Sequence, residues 1–354
     1  MPDLRDTAQP VRPGEELDAE TLSACLRSRL PNADAPLEIT QFPSGYSNLT
    51  YLLRCGANEW VLRRPPRGSK VKAAHDMARE YRILEALHPV YPRAPKPLVY
   101  CDDPDLLGAP FYIMERIPGV ILRGKRPKDL DVAPELARAC CASLVTGLAE
   151  LHALDYAAIG LSDLRREGAF VARNVTGWID RYRGSETDDI PAMNDAATWL
   201  QEHCPPDAGA VLIHNDFKFD NLVLDPNDWT RIIGVLDWEM SSIGDPFMDL
   251  GVALSYWLEP NDMDLGAIPC FLTRVPGAMT RREVADCYME RTGRNTDHLP
   301  FYYAYGLFKL AVIAQQIYYR HKQGLTKDPR FGALIMVVAA LGMRAMETAT
   351  TGHV

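Results

Sequence analysis

The stretch Val211–Asp237, V-L-I-H-N-D-F-K-F-D-N-L-V-L-D-P-N-D-W-T-R-I-I-G-V-L-D, constrains the fold of this chain more than any other. Three apolar residues run into His214-Asn215-Asp216, and four residues separate Asp216 from Asn221. Two apolar-rich segments then flank the turn Asp225-Pro226-Asn227-Asp228, and the second ends at Asp237. Apolar runs of strand length broken by turn residues predict a strand, a polar loop and a hairpin that closes on a carboxylate. Asp216 is placed to accept a proton, while Asn221 and Asp237 are hard oxygen ligands suited to a small divalent cation. A polar hairpin that merely carries acids is the plain alternative, and the order of loop, hairpin and second carboxylate argues against it.

Upstream, the chain divides in three. Residues 1–36 are an extension: Met1–Asp18 is polar and contains prolines, which predicts a mobile segment, and Ala19–Leu30 carries Leu22, Cys25 and Leu26 at helical spacing. Residues 37–118 begin with strand periodicity at Leu37–Phe42, Leu49–Arg54 and Glu59–Arg64, broken by turns at Pro43–Asn48 and Gly56–Asn58. Lys70–His88 follows as a helix with Met77, Tyr81, Leu84 and Leu87 on one stripe and Glu80 beside it. An apolar strand then reaches a Pro118-Gly119 break, with Met114, Glu115 and Ile117 before it. Residues 119–354 are mostly helical: Val132–Leu154, Phe170–Tyr182, Ile190–His203, Leu250–Leu258, Arg281–Arg291, Pro300–Lys322 and Phe331–Met346. Thr280 and Glu283 stand in capping-box spacing. His152 reads as a hydrogen-bonded structural histidine. Asp249 either braces the Asp216 loop or starts a helix, and the aromatic helix from Phe301 has one face for the core and the other for a ligand.

Charge and cysteine content exclude several classes of function. Lys and Arg total 38 against 47 Asp and Glu, a net charge of -9, so nucleic acid and anionic membranes are not expected partners and small molecules are. The eight cysteines include no C-x2-C pair, which argues against a zinc site and a disulfide framework. The most apolar run, Phe331–Met343, reads as too short to span a bilayer, and no signal-peptide core is present at the N-terminus; a cytoplasmic protein is expected.

The Asp-x4-Asn spacing followed by a strand-end Asp matches a kinase catalytic loop and its metal-binding aspartate, so the chemistry indicated is phosphoryl transfer. The turn Ser44-Gly45-Tyr46-Ser47-Asn48 lies where a kinase-like sheet folds over phosphates, so Ser44, Gly45, Ser47 and Asn48 are candidate nucleotide contacts. Met114, Glu115 and Ile117 are candidates for an adenine, and Met114 is equally suited to the core. Together with Val61–Gly68, Ala74–Tyr81, His214–Asn221 and Asp237–Pro246, these residues make the chain resemble the aminoglycoside phosphotransferase superfamily, and within it the kinase-like domains associated with acyl-CoA dehydrogenases. The resemblance covers the chain from about Leu37 to the last helices. It implies an α+β, protein-kinase-like two-lobed fold, with a small antiparallel-sheet N-lobe carrying one main helix and a larger, mostly helical C-lobe. It also implies ATP or GTP with Mg²⁺, Asp216 as catalytic base, Asn221 and Asp237 as metal ligands, and Glu80 as the helix acid. One position departs from the pattern: Arg63 stands where most kinases have a phosphate-binding Lys, and Lys218 could supply the missing point charge or be a solvated loop lysine.

The expected activity is therefore an ATP-dependent kinase acting on a hydroxyl of a small molecule. From Gly244 to Val354 there are 11 Asp and Glu against 11 Lys and Arg, a balance that suits a neutral or anionic acceptor such as a hydroxyacyl-CoA better than a polycation. An aminoglycoside or other antibiotic kinase, and a nucleotide-binding module with little catalysis, are the alternatives.

Overall fold

Strand periodicity from Leu37 onward becomes an antiparallel sheet. The structure, a computed structural model, describes residues 4–43, 48–66, 76–124, 126–127, 130–263, 268, 271–326 and 328–354. Two compact units are present, a sheet unit made of Pro2–Ile121 and Asn221–Glu239 and a helical unit made of Leu122–Asp220 and Met240–Val354. In the sheet unit α1 (Ala19–Arg29) starts where the Asp18 carboxylate accepts the N–H groups of Glu20 and Thr21. Strands β1 (Leu37–Gln41), β2 (Leu49–Cys55) and β3 (Asn58–Arg64) precede α2 (Met77–Leu87), whose first turn is capped by Asp76. Then come β4 (Pro97–Cys101), the single turn α3 (Pro104–Leu107) and β5 (Phe111–Glu115). The sheet order is β1-β2-β3-β5-β4, every pair antiparallel. One face buries Tyr51, Leu53, Leu62, Val99 and Phe111 with Leu22 and Leu26 of α1, and α2 packs on β4 and β5.

The N-terminal segment is not a loose tail over its described residues. Gln9 exchanges both backbone hydrogen bonds with Gln41 at 2.8 Å, the Tyr51 hydroxyl donates to the Glu15 carbonyl at 2.7 Å, and Arg5 bridges to Val120. Composition suggested mobility, but the segment meets the open edge of β1 at Gln41, whose N–H and C=O groups it satisfies.

The helical unit begins with α4 (Pro134–His152), α5 (Phe170–Ser185) and α6 (Pro191–Glu202), and reaches β6 (Val211–Ile213). After Asp220 the chain re-enters the sheet unit as the hairpin β7 (Leu222–Asp225) and β8 (Asp228–Val235). The division at residue 119 places this hairpin after the boundary, and it belongs to the same compact unit as the five-stranded sheet. Val120 and Leu224 exchange backbone bonds at 2.9 and 2.8 Å. A Cβ on Gly119 would sit 2.4 Å from the Val223 side chain and 2.6 Å from the Leu224 carbonyl, so only glycine lets the two segments meet.

Strand β9 (Ser242–Gly244) pairs antiparallel with β6, and α7 (Pro246–Ser255), α8 (Arg281–Thr292), α9 (Leu299–Lys322) and α10 (Leu334–Thr351) complete the helical unit. Helix α8 carries the Thr280–Glu283 capping box. The aromatic helix α9 does not keep one face open: its residues from Phe301 to Lys309 are buried all round, because α5, α6, α7 and α10 surround it. Gly251 and Gly306 make the α7–α9 crossing, since a Cβ on either would fall 2.1 or 2.2 Å from a backbone carbonyl oxygen of the other helix. The last apolar run is also longer than Phe331–Met343. Pro329–Thr351 is one helical stretch of 23 residues, long and apolar enough by length and composition to cross a membrane, and it packs on α9 and α6.

Candidate active site

The candidate nucleotide and metal residues that the structure describes all lie in the sheet unit. Arg63, on β3 and 7% exposed, is the centre of the charge there. Its Nη1 meets Glu80 Oε1 of α2 at 2.9 Å, and its Nη2 lies 2.9 Å from Asp237 Oδ1 and 3.5 Å from Glu239 Oε2. Burial disfavours a charged guanidinium, but the Glu80 carboxylate, with those of Asp237 and Glu239, holds it firmly ionised. Glu239 is fixed from two further sides, by Asn48 Nδ2 on its carboxylate at 2.7 Å and by Arg79 Nη1 on its carbonyl at 3.1 Å. Asn221, itself buried, accepts the Leu236 N–H on its carbonyl at 2.8 Å, which places it beside the residue preceding Asp237. Asp237 has a left-handed backbone, φ 70°, a conformation that costs a non-glycine residue energy and is retained where the surroundings impose it.

Not every candidate sits as the sequence suggests. Met114 is buried in the sheet opposite Val61, and the Glu115 N–H is taken by the Lys96 carbonyl at 2.8 Å, because β5 pairs on both sides. That donor is therefore closed to an adenine. Ile117 is half-buried, against the hairpin at Gly234. Ser44, Gly45 and Ser47 lie outside the described residues.

The helical unit contributes the loop after β6. Asn215 also has a left-handed backbone, φ 66°, and three of its polar groups are held. Its N–H donates to Asp249 Oδ1 at 2.7 Å, its side-chain Nδ2 to the Met240 carbonyl at 2.9 Å, and its carbonyl accepts from Lys309 Nζ at 2.7 Å. Asp249 Oδ2 takes the His214 N–H at 2.7 Å and lies 3.1 Å from His152 Nε2, whose Nδ1 is 2.6 Å from the Tyr288 hydroxyl. Asp249 thus both stands in the first turn of α7 and braces the loop. Burial would raise its carboxyl, but the His152 contact and the backbone donors outweigh this and leave it below its ordinary value.

Asp216 follows directly. Lys218 Nζ is 2.9 Å from its carboxylate and 4.1 Å from the centre of the Tyr256 ring, so it is an enclosed partner rather than a solvated lysine. Burial works against that charge, yet Asp216 and its neighbours keep the ammonium well above its ordinary value. Asp220 is mostly enclosed too, and burial pushes its carboxyl up to about 6. Sequence reasoning missed Glu239, Tyr256, Asp220 and Lys309. Glu239 was within reach, two residues past Asp237, but Lys309 carried no local signal at all.

The donor chemistry fits Mg²⁺. Among the described residues no group of three or more His, Cys, Asp or Glu could form an all-protein cage, and no disulfide joins the described cysteines. Asn221 and Asp237 instead offer one amide and one carboxylate oxygen, the partial set that Mg²⁺ completes with water and phosphate oxygens. The Asp237 side chain is 35% exposed, with Oδ1 on Arg63 Nη2 at 2.9 Å.

Comparison with known proteins shows the family. The model of the phosphotransferase enzyme family, APH, matches residues 38–268. Rat acyl-CoA dehydrogenase family member 11 is 36% identical over 327 residues, which cover 90% of this chain but 42% of the rat protein, so the chain spans about two fifths of that relative. A solved Ralstonia eutropha structure assigned to the aminoglycoside phosphotransferases has a TM-score of 0.79 at 29% identity, covering 95% of this chain and 99% of that one. A thermostable mutant of aminoglycoside phosphotransferase APH(4)-Ia, solved with AMP-PNP and hygromycin B, shares the fold at 17% identity, with a TM-score of 0.58 over 89% of this chain and 95% of that one. The fold class is the kinase-like α+β one.

Proposed function

This chain belongs to the phosphotransferase enzyme family, and on that premise we propose that it moves the γ-phosphoryl group of ATP or GTP to a hydroxyl of a small molecule. The observation that carries the reading is the three-way hold on Asn215, which commits a strained backbone to present the next residue, Asp216, in one direction. Asp216 orients the acceptor hydroxyl and takes its proton. Lys218, 2.9 Å from the Asp216 carboxylate, adds positive charge where the transferred group gathers negative charge. Arg63, aligned by Glu80, meets the α- or β-phosphate, with Asn48 in support. Asn221 and Asp237 hold Mg²⁺, which when bound neutralises charge on the triphosphate.

For the acceptor we infer a hydroxyacyl-CoA. The even charge of Gly244–Val354 gives a polycation no reason to bind, and the rat relative's name places it among acyl-CoA enzymes. Basic residues are a weaker support than their number suggests, since Arg281 is buried against Glu259 and Asp262, and Lys322 pairs with Asp188. The test is nucleotide consumption with a 4-hydroxyacyl-CoA and with kanamycin, for the parent and Asp216→Asn. The expected result is a clear preference for the acyl-CoA and a loss in Asp216→Asn of about 10²–10⁴-fold. Preference for kanamycin overturns the acceptor, and near-parent turnover in Asp216→Asn overturns the base.

A further inference from the structure

Lys309 is a buried amine that the reaction outlined above does not use. It sits in the middle of α9, 2% exposed, and its recorded bond is to the Asn215 carbonyl at 2.7 Å. The charged groups around it come from three other segments: Asp216 and Lys218 from the loop, Asp249 from α7, and Arg181 from α5, where the Trp178 ring also lies 5.5 Å from the ammonium. An apolar side chain would fill such a place at less cost in desolvation, so the ammonium must do something there that a methyl group cannot. The carbonyl it holds belongs to the left-handed residue immediately before Asp216. Neither of the other two holds on Asn215, through its N–H and its side-chain amide, restrains that carbonyl.

We propose that Lys309 is a positioning residue for phosphoryl transfer: its ammonium clamps the Asn215 carbonyl and thereby fixes the direction of the Asp216 carboxylate. The proposal rests on Asp216 being the base. Burial, only partly offset by Asp216 and Asp249, pushes Lys309 down to about 8, so the clamp weakens in mildly alkaline solution. A neutral amine still donates a hydrogen bond but without the charge that strengthens it. Turnover therefore falls as pH rises above about 8, while stability moves the other way. Between the folded value of about 8 and the unfolded value of about 10.4, the unfolded chain binds more protons at Lys309, so this residue's contribution to stability rises with pH. A purely structural lysine gives no such opposition of slopes.

The experiment compares the full chain with Lys309→Met, following kcat, KM for the nucleotide and the denaturant midpoint from neutrality to about pH 10. The parent kcat should drop tenfold per pH unit on the alkaline side, with KM for the nucleotide nearly constant. Lys309→Met should lower kcat by about 10²-fold and lack that limb, and the parent should gain stability relative to it over the same range. A flat parent profile, an alkaline limb that persists in Lys309→Met, or a variant of near-parent kcat overturns the proposal. Should Lys309→Met fail to fold, ¹³Cε-lysine NMR of the parent decides: one lysine must titrate near pH 8 in step with kcat, and its absence is equally fatal. Full turnover in Asp216→Asn would defeat the base assignment itself, whereas an inactive Asp216→Asn with a flat parent profile defeats only the role of Lys309.

Discussion

Arg63 and Lys309 are both cations sealed inside the protein, and they are held in opposite ways. Arg63 in the sheet unit faces three carboxylates, those of Glu80, Asp237 and Glu239, and stays charged at any accessible pH. Lys309 in the helical unit makes its recorded bond to a backbone carbonyl, and desolvation brings its ammonium to the edge of neutrality. The difference follows from what each region has to position. Around Arg63 the objects are charges, and opposite charge orients them. Around Lys309 the object is the backbone ahead of Asp216, which is steered by dipoles: the Asn215 carbonyl, and the two N–H groups that end on Asp249. One region is organised by ion pairing and the other by backbone capture.

If that distinction is right, Arg63→Met should be the most damaging single change to the fold. It leaves Glu80 buried at 1% exposure without its cation, a loss of about 3–5 kcal/mol in urea unfolding. The double variant Arg63→Met, Glu80→Leu should recover most of it, because an apolar pair needs no solvation. A loss below about 1 kcal/mol in the single variant would mean that ion pairing does not organise the region. Lys309→Met, by contrast, should leave stability near the parent value at neutral pH, with the difference opening only on the alkaline side.

Asp249→Asn tests backbone capture at intermediate cost. The amide keeps the shape, but one of its two ends can no longer accept, so the His214 or Asn215 N–H loses its partner at about 1–3 kcal/mol. Its pH dependence has a defined sign. Because the native Asp249 carboxyl is depressed, the parent's advantage over the variant is complete above the ordinary carboxylate range and shrinks as pH falls through it. An advantage that grows on acidification would contradict the assignment.

The smallest expected effect lies at Asn215 itself. Asn215→Gly removes the bond to the Met240 carbonyl but relieves the left-handed backbone, so the two changes nearly cancel, within about 1 kcal/mol. Asn215→Ala keeps the strain and loses the bond, and should be less stable than the glycine variant by about 1 kcal/mol. Equal stabilities would show that the conformation is not strained in this loop.

Much of the local design was legible in the chain. The strand, loop and hairpin of Val211–Asp237 follow from short apolar runs and the Asp225–Asp228 turn, and the Thr280–Glu283 cap from three-residue spacing, since each depends on neighbours in sequence. The candidates Arg63, Glu80, Asp216, Asn221 and Asp237 were chosen from residue type and order, because hard ligands and a base recur at spacings the backbone imposes. Packing could not be read the same way. Helix α9 has aromatic residues at spacings that permit an open face, yet four helices close it, and the polar N-terminal segment is ordered along β1 by an edge that its own composition does not reveal. Lys309 is the extreme case, 94 residues from the Asn215 carbonyl it holds. Periodicity and propensity report what each segment favours alone, whereas a buried cation's partner and protonation depend on which distant groups exclude water from it, and that only the folded chain decides.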